Sequence, residues 1–260
     1  MKKTILTTLL AIIAFVGFAQ NNGALKFLGI PIDGTKAQFG ARLVNKGFTY
    51  ISARDYYKGE FNGSKVDVFL HTNHNKVDRV YVAFPSVSEE NIRSEYNHLL
   101  DQFDRNAKYV DLSFNETIPE KEDISYQITV HNKRYQASFC YYDPNRDPFE
   151  FFNALIDEIS ELLTEEQYLA LKEYAKKNKG SEFDLDELER KLLEEMNRLG
   201  VGQNMSDSSD VENRVVGKFL NGLEAVADGS VWFMIHESYG KYYIGLYYDN
   251  LHNQAHGEDL

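Results

Sequence analysis

The chain contains a single cysteine, Cys140, in 260 residues. One thiol closes no internal disulfide, so the fold must rest on a hydrophobic core, and the chain is long enough to build one. Cys140 sits between Phe139 and Tyr141 in "YQASFCYYDP". Nothing in that stretch lowers a thiol pKa, so Cys140 reads as a strand residue and not as a nucleophile. Basic residues are also scarce, with 28 Lys and Arg against 40 Asp and Glu and a formal net charge of −12. Such a surface repels phosphate backbones and anionic bilayers, which argues against nucleic-acid binding and membrane-surface binding. A cationic partner, or simple solubility, suits it better. No tract of low complexity points to disorder.

Long apolar runs are missing as well, with one exception. After Lys2 and Lys3, "TILTTLLAIIAFVGF" carries no charge, and Gly17-Phe18-Ala19 offers a small-x-small cleavage site. This is the pattern of a secretory signal peptide over residues 1–19, too short and wrongly flanked for a comfortable transmembrane helix. Cleavage after Ala19 would leave Gln20 first, take Lys2 and Lys3 away, and bring the net charge from −12 to −14. No cysteine follows the site to accept a lipid. The expectation is a secreted or periplasmic protein with no membrane span after cleavage.

Signatures of catalysis are absent too. There is no nucleophile elbow, phosphate loop or dinucleotide fingerprint, and "GALKFLG" has its glycines at the wrong spacing. "EFDLDEL" resembles the end of a calcium loop with Glu187 as last ligand. Counting back, however, puts Lys176 where the first carboxylate belongs and Ser181 where the glycine belongs. Carboxylate pairs such as Glu165-Glu166 and Glu194-Glu195 read as solvated helix faces. His71 and His74 flank "TN" in an expected turn, with Asp78 as the nearest carboxylate. His252 and His256 are the remaining pair with metal-ligand spacing, but Asn250, Asn253 and Gly257 favour a turn over the helix that would bring them to one face. No metal site and no cofactor are expected, and His252 and His256 are the residues a metal would use if one bound.

What is present reads as alternating helix and strand signals. Thr35 and Gln38 make a capping box ahead of Phe39 and Leu43, and Gly47 ends a helix of about 35–46. Asn62-Gly63 marks a hairpin in "YYKGEFNGSKVDVFLH", with Val66, Val68 and Leu70 on one face and Lys65, Asp67 and Phe69 on the other. "VDRVYVAF" returns as a strand until Pro85. Ser86 and Glu89 suggest a second capping box, followed by Ile92, Tyr96, Leu99, Leu100 and Phe103 at helical spacing. "ISYQITVH" and "RYQASFCYYD" read as strands joined near Asn132, and "DPNRDP" breaks the pattern. An acidic helical block follows: Phe152 to Leu163, a helix capped by Thr164 and Gln167 and ended by Gly180, and a third from Asp184 to Leu199. The linker "GQNMSDSSD", a fourth helix with Val211, Val215 and Phe219, and a closing hairpin turning at Tyr239-Gly240 complete the chain.

Strands on both sides of the helical block imply an α+β fold: one antiparallel sheet with packed helices, and a helical insertion between late strands. The expected organisation is a sheet domain of 20–144 and 205–260, interrupted by an insertion of 145–204. Tyr and Phe number 17 each, and "SYGKYYIGLYYD" puts Tyr243, Gly245 and Tyr247 on one face and Tyr242, Ile244, Leu246 and Tyr248 on the other. Tyrosine joins large contact area to a polar tip, so Tyr242, Tyr243, Tyr247, Tyr248 and Trp232 are the candidate binding residues. The competing reading is that these aromatics pack under helices or form ordinary cross-strand pairs.

"LKFLGIPIDGT" followed by "LVNKGFTY", and the closing "YYIGLYYDN" ending in "GEDL", resemble a family of uncharacterised secreted or periplasmic bacterial proteins. The resemblance covers roughly residues 24–143 and 228–260. It implies a helix, a set of strands, a second helix and a late hairpin, similar to the helix-and-sheet unit of the β-lactamase inhibitor protein, and it leaves 145–204 as an insertion. It implies no chemistry. The functional expectation is a non-enzymatic binding protein whose partner is a protein, a peptide or an envelope component. A hydrolase or metal-dependent enzyme using convergent histidines and carboxylates, or a structural envelope protein, are the alternatives.

Overall fold

The structure, a computed structural model, describes residues 24–113, 115–143, 146–158, 160–177, 217 and 221–254. The chain divides into two compact units, one of Ala24–Tyr141 with Asp228–Leu260, the other of Met1–Gly23 with Tyr142–Ala227. The expected leader, the third helix of the acidic block, Val211, Val215 and Phe219 of the expected fourth helix, and His256 lie outside the described residues.

The first unit is an α+β fold. Its strands are β1 (Lys26–Phe27), β2 (Ile30–Pro31), β3 (Thr49–Ile51), β4 (Tyr56–Phe61), β5 (Ser64–Asn73), β6 (Lys76–Ala83), β7 (Gln136–Tyr141), β8 (Gly229–Ser238) and β9 (Lys241–Asn250). β1 and β2 form a small ribbon, and the others form a seven-stranded antiparallel sheet in the order β3-β4-β5-β6-β9-β8-β7. Two-residue turns join three of the neighbouring pairs. Asn62-Gly63, His74-Asn75 and Tyr239-Gly240 each hold two residues at positive φ, the geometry that matches the right-handed twist of the flanking strands.

Helices α1 (Lys36–Asn45), α2 (Glu89–Asp104) and α3 (Ile124–His131) belong to the same unit. The Thr35–Gln38 capping box closes as expected, with Gln38 N donating to Thr35 Oγ1 at 3.3 Å and Thr35 N to Gln38 Oε1 at 3.1 Å. Phe39 and Leu43 are fully buried. The α2 stripe of Ile92, Tyr96, Leu99, Leu100 and Phe103 is buried as well. It meets one face of the sheet, where Tyr96 and Phe103 lie 5.1 and 5.9 Å from Phe233, and Phe103 lies 5.2 Å from Phe139. Val66, Val68, Val80, Val82, Val231, Ile244 and Leu246 complete this core face.

Two local expectations are overturned. "ISYQITVH" is not a strand but α3. Its period-2 pattern is real, yet only Ile124 is buried, while Tyr126 and Val130 are exposed. The free N–H groups of its first turn are what the strand reading overlooked. Asp123 accepts from Tyr126 N at 2.8 Å, Glu89 accepts from Ile124 N at 2.8 Å and Ser125 N at 3.3 Å, and Asn132 ends the helix at φ 52. The second is the Ser86–Glu89 capping box. Val87 instead pairs with Tyr242, Ser88 takes the N-cap position without a side-chain bond, and the Glu89 carboxylate is spent on α3.

The second unit contains α4 (Pro148–Glu158) and α5 (Glu165–Lys177). The Thr164–Gln167 box forms in both directions at 3.3 and 2.7 Å. Phe152, Leu155 and Ile156 of α4 and Leu171 and Ala175 of α5 are buried, and Asp157 takes both Tyr168 and Lys172 at 2.8 and 2.7 Å.

Because one carboxylate serves two donors of α3, Glu89→Ala should lower stability by about 1–2 kcal/mol, the size of a lost cap. A urea melt compared with the exposed control Glu90→Ala checks this. Equal midpoints would mean that the Glu89 cap is idle.

Candidate functional site

Strand alternation sends every second residue of the sheet away from the helices. On this second face, Tyr56 of β4, Phe69 of β5, Tyr81 of β6, Tyr247 of β9 and Trp232 of β8 stand in one transverse row. Consecutive rings are stacked, with centroids 5.3, 5.5, 4.7 and 3.8 Å apart and interplanar angles of 26°, 24°, 16° and 7°. All five are half-buried. Each such pair adds about 0.5–1.5 kcal/mol beyond its buried area, so the row stiffens the sheet across its hydrogen-bonding direction. Because the rings lie against one another, their edges and hydroxyls are what the row offers to a partner.

Beside the row, Asp249 is almost completely buried, with its side chain 4% exposed. A carboxylate in that position must be paired. Arg79 of β6 supplies Nε at 2.5 Å and a terminal nitrogen at 2.9 Å, and Trp232 Nε1 donates at 2.9 Å. The hydrogen bonds that Arg79 donates to Asp249 hold the guanidinium pKa above its ordinary value. The same guanidinium carbon lies 5.7 Å from the centroids of both Trp232 and Tyr247, within cation–π range. Asp249 therefore fixes the indole and the cation together.

On the other side of the row, His236 stacks on Tyr243 at 4.9 Å, and its Nε2 lies 3.3 Å from the Tyr247 hydroxyl. Gly245 makes room for it: a Cβ there would meet His236 Nε2 at 2.8 Å and Tyr81 at 3.0 Å. Burial lowers the His236 pKa from its ordinary 6.5. Burial, followed by the neighbouring tyrosines, raises the pKa of Tyr81, and burial with the Tyr243 charge raises that of Tyr247. Both phenols thus stay protonated and act as hydrogen-bond donors rather than nucleophiles.

Of the expected binding residues, Trp232, Tyr243 and Tyr247 lie on this face. Tyr242 and Tyr248 point into the core at 4% and 5% exposure. Tyr56, Phe69, Tyr81 and Arg79 were not anticipated. Their signal was Phe69 and Tyr81 sharing the polar parity with Asp67 and Arg79.

Two of the histidines pair with carboxylates. His71 Nδ1 meets Asp78 at 2.7 Å, and His252 Nε2 meets Asp228 at 2.8 Å, each histidine exposed and each aspartate buried. Such a carboxylate orients an imidazole, as a general base or a metal ligand requires. Among the described residues, however, no group of three His, Cys, Asp or Glu is arranged to hold a metal ion. On the helix-bearing face, a cleft of about 240 Å³ opens between the C-terminal half of α2 and the β4–β5 turn, and neither His–Asp pair lines it. No helix among the described residues is long and apolar enough to cross a membrane.

Comparison with models of protein families, with curated proteins and with solved structures finds no match to this chain.

His236 binds its proton less readily when folded than when unfolded. Its contribution to stability is complete above the ordinary value near 6.5 and is lost as pH falls through 6.5 towards the folded value. Urea midpoints measured from pH 7.5 down to 5 should therefore decline more steeply for the wild type than for His236→Gln. Parallel slopes would show that His236 is not the group responsible.

Proposed function

We propose that this chain is a secreted or periplasmic, non-enzymatic binding protein that recognises a protein or peptide through the second face of its sheet. The observation that carries this reading is the stacked row from Tyr56 to Trp232, half-exposed and flanked by Arg79. A rigid set of aromatic side chains loses little conformational freedom on binding, and Trp, Tyr and Arg are the residues that dominate binding energy at interfaces. Asp249 neutralises Arg79 in place, so the surface is amphipathic rather than strongly charged. An acid–base enzyme is the alternative, with His71–Asp78 and His252–Asp228 in its favour. It is the less supported reading, because the wall of the cleft contains neither pair.

Two measurements test the proposal. N-terminal sequencing of the protein recovered from its native host should start at Gln20, and a chain still beginning at Met1 would refute export with leader removal. Mature protein carrying a cross-linker should capture a partner from envelope extract, and Trp232→Ala with Tyr247→Ala should weaken that complex by roughly thirtyfold, the equivalent of one 2 kcal/mol hot spot. A complex undiminished by both substitutions would remove the aromatic face from the binding surface. The chain has one tryptophan, Trp232, so its fluorescence reports engagement of this face without a label.

A further inference from the structure

The cleft on the helix-bearing face is separate from the aromatic row. Its walls are Leu28, Phe61, Leu99, Phe103, Tyr109 and Tyr248, with Asn62, Gln102 and Asn106 at the rim. Two of the rim amides are engaged with each other: Asn62 Nδ2 donates to Gln102 Oε1 at 2.7 Å, and Gln102 Nε2 lies 3.3 Å from Asn62 Oδ1 and 3.0 Å from His98 Nε2. The two phenols of the wall are not engaged in this way. Neither the Tyr109 nor the Tyr248 hydroxyl has a hydrogen-bond partner among the described residues, although most of the Tyr248 ring is buried. Both hydroxyls open onto the cleft and its solvent, so a ligand's polar atom takes the place of water there without breaking a bond within the protein. Burial pushes the Tyr109 pKa up to about 12 and holds that of Tyr248 well above its ordinary value, so both keep their O–H protons across the physiological range.

We propose that this cleft binds a small uncharged molecule, a single ring carrying a carbonyl or ether oxygen, with the ring against Phe61, Leu99 and Phe103 and the oxygen accepting from Tyr109 or Tyr248. Three observations set the class. The volume of about 240 Å³ lies below the roughly 300–1,000 Å³ of pockets for drug-sized ligands, which restricts the occupant to about one ring with a short substituent. The lining includes no Lys, Arg or His, so a carboxylate or phosphate would enter unpaired. The free groups are phenol hydroxyls that keep their protons, so each has an O–H to donate to a ligand oxygen.

Acetophenone is the probe, with ethylbenzene and benzoate for comparison, followed by ligand-observed NMR titration of the full chain. Acetophenone should bind saturably and without changing Trp232 fluorescence. The double variant Tyr109→Phe/Tyr248→Phe keeps both rings and breaks no hydrogen bond within the protein, so it should fold normally. It should weaken acetophenone by about threefold to tenfold, the span of one net hydrogen bond, and leave ethylbenzene unchanged. Benzoate should not bind. Asn106→Trp, at the exposed rim, should block all binding by occlusion. Failure of acetophenone to saturate, benzoate binding as tightly, or an affinity unchanged in the double variant would each overturn the proposal. None of these outcomes bears on the aromatic face.

Discussion

The fold depends on β9 being hydrogen-bonded along both edges. Tyr248 pairs with Val80 on one side and Val231 on the other, and Leu246 pairs with Val82 and Phe233. This strand joins the β3–β6 meander to the β7–β8 ladder, and it pairs with β6 across more than a hundred residues of chain. Contacts of such long sequence range are slow to form and cannot be supplied by local propensity. Without β9 there would be two narrow sheets, each with an exposed edge, and α2 would have no continuous surface on which to bury its apolar stripe.

Both faces of the sheet inherit their character from this strand. On the helix side, β9 contributes Tyr242, Ile244, Leu246 and Tyr248 to the core. On the other side it contributes Tyr243, Tyr247 and Asp249, and it brings Tyr247 between Tyr81 and Trp232 so that the aromatic row is unbroken. The buried Asp249–Arg79 pair is not the most stabilising way to fill that space, since well-packed apolar residues often do as well or better. Its physical effect is orientation: one carboxylate holds an indole N–H and a guanidinium in fixed geometry on the same surface.

The parity of the late hairpin was legible from residues alone. Tyr242 and Tyr248 were placed opposite Tyr243 and Tyr247, and the structure has them so, because alternation within a strand is a local property. The capping boxes at Thr35 and Thr164 were legible for the same reason. "ISYQITVH" was misread because its alternation pattern is local while one of its helix-starting acceptors, Glu89, lies 35 residues away. Ser86 and Glu89 had the spacing of a box, but pairing of Val87 with Tyr242 kept that stretch extended.

The candidate site divides along the same line. By itself the sequence determined the α+β class, the positions of the hairpin turns, and the richness in aromatics, because turn chemistry and side-chain period act over a few residues. Only the tertiary structure decided which aromatics meet. The row draws on strands β4, β5, β6, β9 and β8, and the Arg79–Asp249 pair that anchors it spans 170 residues. Strand order and register across the sheet are set by which apolar faces can be buried together, and that is a property of the assembled core rather than of any segment within it.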